Sequence, residues 1–60
     1  MELKGQRAFS VYTNQDNESV VRMSSSDLVK NLKQVTEFLE QGYFIEITKH
    51  RRTIGMIVPY

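Results

Sequence analysis

The segment from residue 26 to residue 41 constrains the fold of this chain more than any other. Its apolar side chains recur at spacings of four, three and four, which places them on one helix face: Leu28, Leu32, Val35 and Leu39. Three further residues widen this face: Val29, Thr36 and Phe38. Ser25 or Ser26 can cap the helix start, and Gly42 can adopt the left-handed conformation that ends a helix. The pattern predicts one helix over residues 26–41.

Four stretches around this helix have the composition of β-strands, namely 8–13, 18–23, 43–49 and 53–60. The NQDN sequence at 14–17 favours a turn, so residues 8–23 are predicted to form a hairpin. In the last strand we expect Ile54, Met56 and Val58 to share one face. Residues 1–7 are predicted to be frayed. The fold class is therefore α+β, a small antiparallel sheet with one main helix in the order β-β-α-β-β.

A chain of 60 residues without cysteine forms a single small domain with few means of stabilisation. It buries only about 60% of the surface that its unfolded form exposes, and it has no disulfide or metal cluster to compensate. Association with a second copy is the remaining common solution, so we expect a homodimer. The sequence also has no signal-peptide pattern and no apolar run long enough for a membrane span. A cytoplasmic location is the expectation that fits these features.

Signals for an enzyme are weak in this sequence. His50 is the only histidine, and no nucleophile is recognisably paired with it, so we interpret it as a turn residue. The three glycines form no phosphate-binding loop, and the chain lacks a set of metal ligands. We therefore expect no catalytic residues, no metal and no cofactor.

Positive charge is concentrated near the end of the chain, although the formal net charge is only +1. Residues 47–60 contain Lys49, Arg51 and Arg52 and no acid, whereas residues 1–46 contain five basic and seven acidic residues. Such a cluster is either a solvated hairpin tip or a contact for an anion, of which nucleic-acid phosphate is the commonest.

Residues around the helix start are further candidates for contact with double-stranded DNA. Lys30 and Lys33 become relevant if Arg22 and Ser24 lie on the same surface. The serines at 24–26 either cap the helix or contact a phosphate, and one serine can do each. The Asn31 amide either reads an adenine edge or makes a local hydrogen bond. The predicted DNA-binding residues are Arg22, Ser24, Lys30, Asn31, Lys33, Lys49, Arg51 and Arg52.

Several short motifs follow one another in a fixed order along residues 23–60. They are Ser26-Asp27, Lys30-Asn31-Leu32, Glu40-Gln41-Gly42, Ile47-Thr48-Lys49 and Ile57-Val58-Pro59. In this order they resemble the DNA-binding portion of the prevent-host-death, or Phd/YefM, antitoxin family, over 38 of the 60 residues. The resemblance implies a dimer that binds DNA through its paired N-terminal strands and helices and represses its own toxin–antitoxin operon. Within the family pattern, Lys49 occupies a DNA-contacting position.

The sequence departs from the family pattern at identifiable places. Val29 stands where the family commonly has arginine, and Arg51 stands where its turn usually has glycine. Residues 1–22 precede the family segment and are expected to add a strand or to cover an edge. The family's toxin-neutralising tail would follow Tyr60, so either the chain is a fragment or it does not neutralise a toxin by that route. The alternative function is a protein-binding module on the same dimer scaffold that does not bind DNA, a phage or plasmid product that binds a host protein through the added N-terminal hairpin.

Overall fold

The computed structural model describes residues 9–60 and contains six elements. These are β1 (Ser10–Thr13), β2 (Ser19–Ser24), α1 (Ser25–Lys30), α2 (Leu32–Glu40), β3 (Phe44–Lys49) and β4 (Arg52–Ile57). The four predicted strands and the α+β class are confirmed. The predicted order is wrong in one respect, because the single helix is two helices and the order is β-β-α-α-β-β. The predicted fraying of residues 1–7 lies outside the described residues.

The strands form one sheet in the order β1-β2-β3-β4. β1 and β2 are antiparallel, β3 and β4 are antiparallel, and the central pair β2 and β3 is parallel. The expectation of an antiparallel sheet is therefore wrong. The physical reason is that α1 and α2 carry the chain back to the end of the sheet where β2 began, and such crossovers join parallel strands. The carboxyl ends of β2 and β3 consequently lie side by side.

The hairpin between β1 and β2 is closed by Asn14. Its side-chain oxygen accepts hydrogen bonds from the backbone amides of Asp16 and Glu18, both at 3.0 Å. Asn17 takes the left-handed conformation with φ of 66°, which asparagine tolerates better than most residues. The predicted turn at 14–17 is confirmed, and β1 covers the edge of β2 that would otherwise be open.

The helical segment starts at Ser24 and is interrupted at Asn31. The Ser24 hydroxyl accepts from the Asp27 amide at 3.1 Å, so the prediction that Ser25 or Ser26 caps the helix is wrong by one residue or two. Asn31 departs from helical geometry with φ of −125°, and its side-chain amide donates to the Asp27 carbonyl oxygen at 2.8 Å. This local hydrogen bond stabilises the non-helical residue and divides the helix.

The end of α2 confirms the role predicted for Gly42. Gly42 has φ of 93°, and the amides of Gly42 and Tyr43 donate to the carbonyl oxygens of Leu39 and Phe38, each at 3.0 Å. This pair of bonds is the Schellman motif, in which an apolar contact normally joins the residues at its two ends. The rings of Phe38 and Tyr43 provide that contact, with centroids 5.4 Å apart.

The core lies between the sheet and the helices. Its buried residues are Val21 and Met23 of β2, Val35 of α2 and Ile45 of β3. Leu28, Phe38 and Leu39 pack against them as predicted, together with Ile47 and Ile57. Leu32, by contrast, is 54% exposed and Val29 is 72% exposed. Placing these two residues on the buried face is therefore wrong. Leu32 directly follows the interruption at Asn31, which changes the direction of its side chain from that expected in a continuous helix.

The opposite face of the sheet has no helix on it among the described residues. Val20, Phe44 and Glu46 lie on this helix-free face, which we call the open face, since their neighbours along each strand point toward the core; Val20 and Glu46 are nevertheless buried on it. Met56 lies opposite Glu46 in the strand pairing and is 48% exposed. Ile54, which we expected to align with Met56, is the extra residue of a β-bulge between Thr53 and Gly55.

Candidate nucleic-acid interface

The hairpin between β3 and β4 presents three cationic side chains, Lys49, Arg51 and Arg52, which we call the basic tip. Lys49 and Arg52 face each other in the last pair of the ladder, and the two-residue loop is His50-Arg51. All four residues are exposed to solvent. The hairpin brings three predicted DNA-binding residues together.

Both loop residues adopt a conformation that L-amino acids avoid. His50 has φ of 53° and Arg51 has φ of 67°. Two-residue hairpin loops with positive φ at both positions normally use Asn-Gly, and other residues cost about 1–2 kcal/mol each there. Arg51 therefore takes the conformation that a glycine would adopt at lower cost. Because the backbone conformation does not favour arginine here, a role of the arginine side chain better explains why it occurs at this position. A residue held in a strained conformation is a reason to suspect function.

Ser24 lies beside the basic tip. It is the last residue of β2 and pairs with Thr48, the residue that precedes Lys49. Its hydroxyl oxygen is engaged as the cap of α1, but a serine hydroxyl can accept one hydrogen bond and donate another. The capping alternative for Ser24 is thus observed, and its O–H group can still donate to an anion.

The helix junction carries a second group of predicted residues. Lys30 ends α1 and Lys33 lies in the first turn of α2, and both side chains are exposed. Asn31 between them is half-buried, and its amide donates to the Asp27 carbonyl oxygen. The local hydrogen bond that we considered for Asn31 is therefore present. Its reading of an adenine edge stays a prediction.

Arg22 is separated from the other cations, because it lies on the open face of the sheet. Its Nε atom is 3.9 Å from Oε2 of Glu46, the buried carboxylate on the neighbouring strand. Arg22 is therefore partly neutralised within the protein. The eight predicted residues thus form three groups, at the tip with Ser24, at the helix junction and on the open face.

Sequence reasoning missed the cluster around Glu46. This side chain is only 8% exposed, and it accepts hydrogen bonds from the hydroxyl of Tyr12 at 2.5 Å and from the hydroxyl of Thr53. The hydrogen bond from Thr53, that from Tyr12 and the charge of Arg22 hold the pKa of Glu46 below its ordinary value, although burial opposes this. The same Tyr12–Glu46 bond raises the pKa of the tyrosine. Tyr12 and Glu46 are 34 residues apart, so no local sequence pattern predicts their contact.

Acid should weaken the fold through Glu46. Because its folded-state pKa is lowered from 4.5, its ionisation contributes stability that is complete above the unfolded pKa and lost as the pH falls through the folded pKa. The free energy of unfolding in urea should therefore decline below about pH 4.5. Glu46→Gln cannot ionise and should show a shallower decline. Equal acid dependence in the two proteins would contradict this assignment.

Other kinds of site find no support in the described part of the chain. Residues 9–60 contain no group of three or more side chains suited to a metal ion, and they form no detectable pocket. None of the helices between residues 9 and 60 is long and apolar enough to cross a membrane. No protein-family model, curated protein or solved structure matches the chain significantly.

Proposed function

We propose that this chain is a small dimeric DNA-binding protein of the antitoxin type, a cytoplasmic repressor of its own toxin–antitoxin operon. The basic tip carries the proposal. It places three exposed cations and the Ser24 hydroxyl at one end of the sheet, with no acid between Glu46 and the chain's last residue. Duplex DNA presents about one negative charge per 1.7 Å of its length, so it is the polyanion that such a tip fits best.

The apolar surface of one copy supports the dimer in this proposal. Five apolar residues are buried, whereas eight large hydrophobic residues among those described are at least 41% exposed. A chain this small gains stability when a partner covers such surface, and a second copy is always available to it. A two-fold dimer would also present the basic tip twice, and DNA half-sites about 34–36 Å apart match such repeated elements.

The salt dependence of binding tests this proposal directly. Each neutralised phosphate contributes about −0.9 to the slope of log K against log salt, so six tip cations in a dimer predict a slope of about −5. The measurement is fluorescence anisotropy of a labelled duplex from the promoter of the chain's own gene, at salt concentrations between about 50 and 200 mM. Affinity that is absent, or that does not change with salt, would refute the proposal.

The second candidate is a protein-binding module on the same scaffold. The observation that favours it is the exposure of Val29 at the end of α1 and of Leu32 at the start of α2, where the family pattern has an arginine in place of Val29. Exposed apolar surface is typical of protein contacts. A host protein that binds the chain directly, with no salt-dependent binding of duplex DNA, would favour this candidate over the first.

A further inference from the structure

Glu46 joins three strands of the sheet through one buried carboxylate. Its oxygens accept from Tyr12 on β1 and from Thr53 on β4, while Glu46 itself belongs to β3. A buried carboxylate is costly unless hydrogen bonds and charges compensate it, and here two hydroxyl groups and Arg22 do so. The Glu46 carboxylate therefore holds Tyr12 and Thr53 in place, because losing either hydrogen bond would leave a buried charge less compensated.

The bond between Thr53 and Glu46 crosses the strands diagonally. Glu46 lies opposite Met56, and Thr53 lies opposite Thr48, so the bond reaches over the bulge that contains Ile54. A bulge increases the local twist of a hairpin and interrupts its ladder of backbone hydrogen bonds, so a side-chain bond across the bulge restrains the strand where the ladder does not. Thr53 directly follows Arg52, so the bond fixes the bulge at the base of the basic tip.

We propose that Glu46, through Thr53, is the positioning residue of the basic tip, holding its three cations in the arrangement that binds phosphate. This inference rests on the proposed DNA-binding function. Groups that are already ordered before binding lose less conformational freedom when the complex forms, so positioning strengthens affinity without adding a contact. An acidic residue thereby promotes the binding of a polyanion.

Simple electrostatics predicts the opposite effect of Glu46. The carboxylate lies three residues from Lys49 along β3, about 10 Å, which is comparable with the Debye length of about 8–10 Å. Repulsion of a phosphate at the tip is therefore weak, and its removal should strengthen binding by less than about twofold per phosphate. Loss of positioning should weaken binding by more than this. The direction of the change therefore distinguishes the two roles.

The charge-neutral variant Thr53→Val tests the inference most cleanly. It keeps the shape of the side chain and removes the hydroxyl that binds Glu46. We expect the Kd for duplex DNA to rise about tenfold, equivalent to ordering one or two additional side chains, with the salt slope unchanged. Thr53→Ser restores the hydroxyl and should restore the affinity. Thr13→Val is the matched control, because Thr13 is exposed at the opposite end of the sheet.

The variant Glu46→Gln tests the sign of the effect. Glutamine has an NH2 group in place of one of the two acceptor oxygens, so in the same geometry it can accept from only one of the two hydroxyl groups, and its NH2 group faces the other. We expect weaker DNA binding, by about fivefold to tenfold, despite the gain of one positive unit of net charge. Tighter binding by Glu46→Gln, or an unchanged Kd in Thr53→Val, would overturn the inference.

A measurement without DNA separates this inference from the proposed function. Backbone order parameters of residues 50–52 should fall in Thr53→Val and remain at the level of the unmodified protein in Thr13→Val. Failure of the unmodified protein to bind DNA would refute the proposed function, whereas unchanged order parameters in Thr53→Val would refute positioning by Glu46. Urea unfolding of each variant confirms that the comparison is made between folded proteins.

Discussion

Replacing Lys49, Arg51 and Arg52 together by glutamine is expected to weaken binding to duplex DNA by about 10³-fold or more at 0.1 M salt. The reason is that the three side chains form one exposed tip, which the proposed dimer would present twice, so that its six proposed phosphate contacts would be lost together. The slope of log K against log salt should fall toward zero in the same variant, because few counterions remain to be released. Anisotropy titrations at several salt concentrations measure both quantities.

The control for this variant must separate the position of the charges from their sum. The glutamine variant changes the formal net charge from +1 to −2. A second variant with glutamate at the exposed positions Gln15, Gln34 and Gln41 reaches the same net charge without altering the tip. It should retain most of the affinity and the steep salt slope. An equal loss in both variants would mean that general attraction, and no particular surface, accounts for binding.

The parts of the fold that local chemistry determines could be predicted from the sequence. Asn14 closes its hairpin through its own side chain, and Gly42 ends α2 because glycine accepts a φ of 93°. Both effects act within a few residues, so the sequence pattern contains the whole cause. The alternation of Ile45 and Ile47 with Glu46 is likewise a local pattern, and it separates the two faces of β3.

The parts that depend on distant contacts could not be predicted in this way. The parallel pairing of β2 with β3 depends on where the helices return the chain, which strand composition does not encode. The interruption at Asn31 is accompanied by a side-chain hydrogen bond to the Asp27 carbonyl oxygen, which also accepts from the Asn31 backbone amide, while the apolar spacing around it is still that of a continuous helix. The helix pattern was therefore correct in type and wrong in the burial of Leu32.

The candidate site likewise has a part determined by local sequence and a part determined by contacts between distant residues. The basic tip is a local feature, since its residues are neighbours in the chain and the turn holds them together. The cluster of Tyr12, Glu46 and Thr53 joins three strands, and its hydrogen bonds connect residues 34 and seven positions apart. Only the register of the sheet brings these groups together. The cations of the basic tip can therefore be predicted from the sequence, whereas the contacts of Glu46 with Tyr12 and Thr53 can be identified only from the structure.

The change from Ile45 to alanine is expected to destabilise the fold by about 3 kcal/mol, because it removes a fully buried side chain from the central strand. Val21 and Ile57 flank Ile45 on the same face of the sheet, and Val35 packs in the same cluster, so the neighbours have little freedom to fill the cavity. A domain of this size has a total stability of only about 3–9 kcal/mol, so the variant should be close to unfolding.

Leu32→Ala provides the contrast, because the helix pattern assigned Leu32 to the core and the structure leaves it 54% exposed. Its expected effect on the free energy of unfolding is within about 0.5 kcal/mol, as for other surface substitutions. Urea unfolding of both variants at the same series of protein concentrations measures this effect, since association with a second copy makes the apparent stability depend on concentration. If Leu32→Ala is as damaging as Ile45→Ala at every concentration, the helix is continuous and the interruption at Asn31 is wrong. If the damage grows with protein concentration, Leu32 contacts the second copy, since only a contact between chains depends on how often they meet.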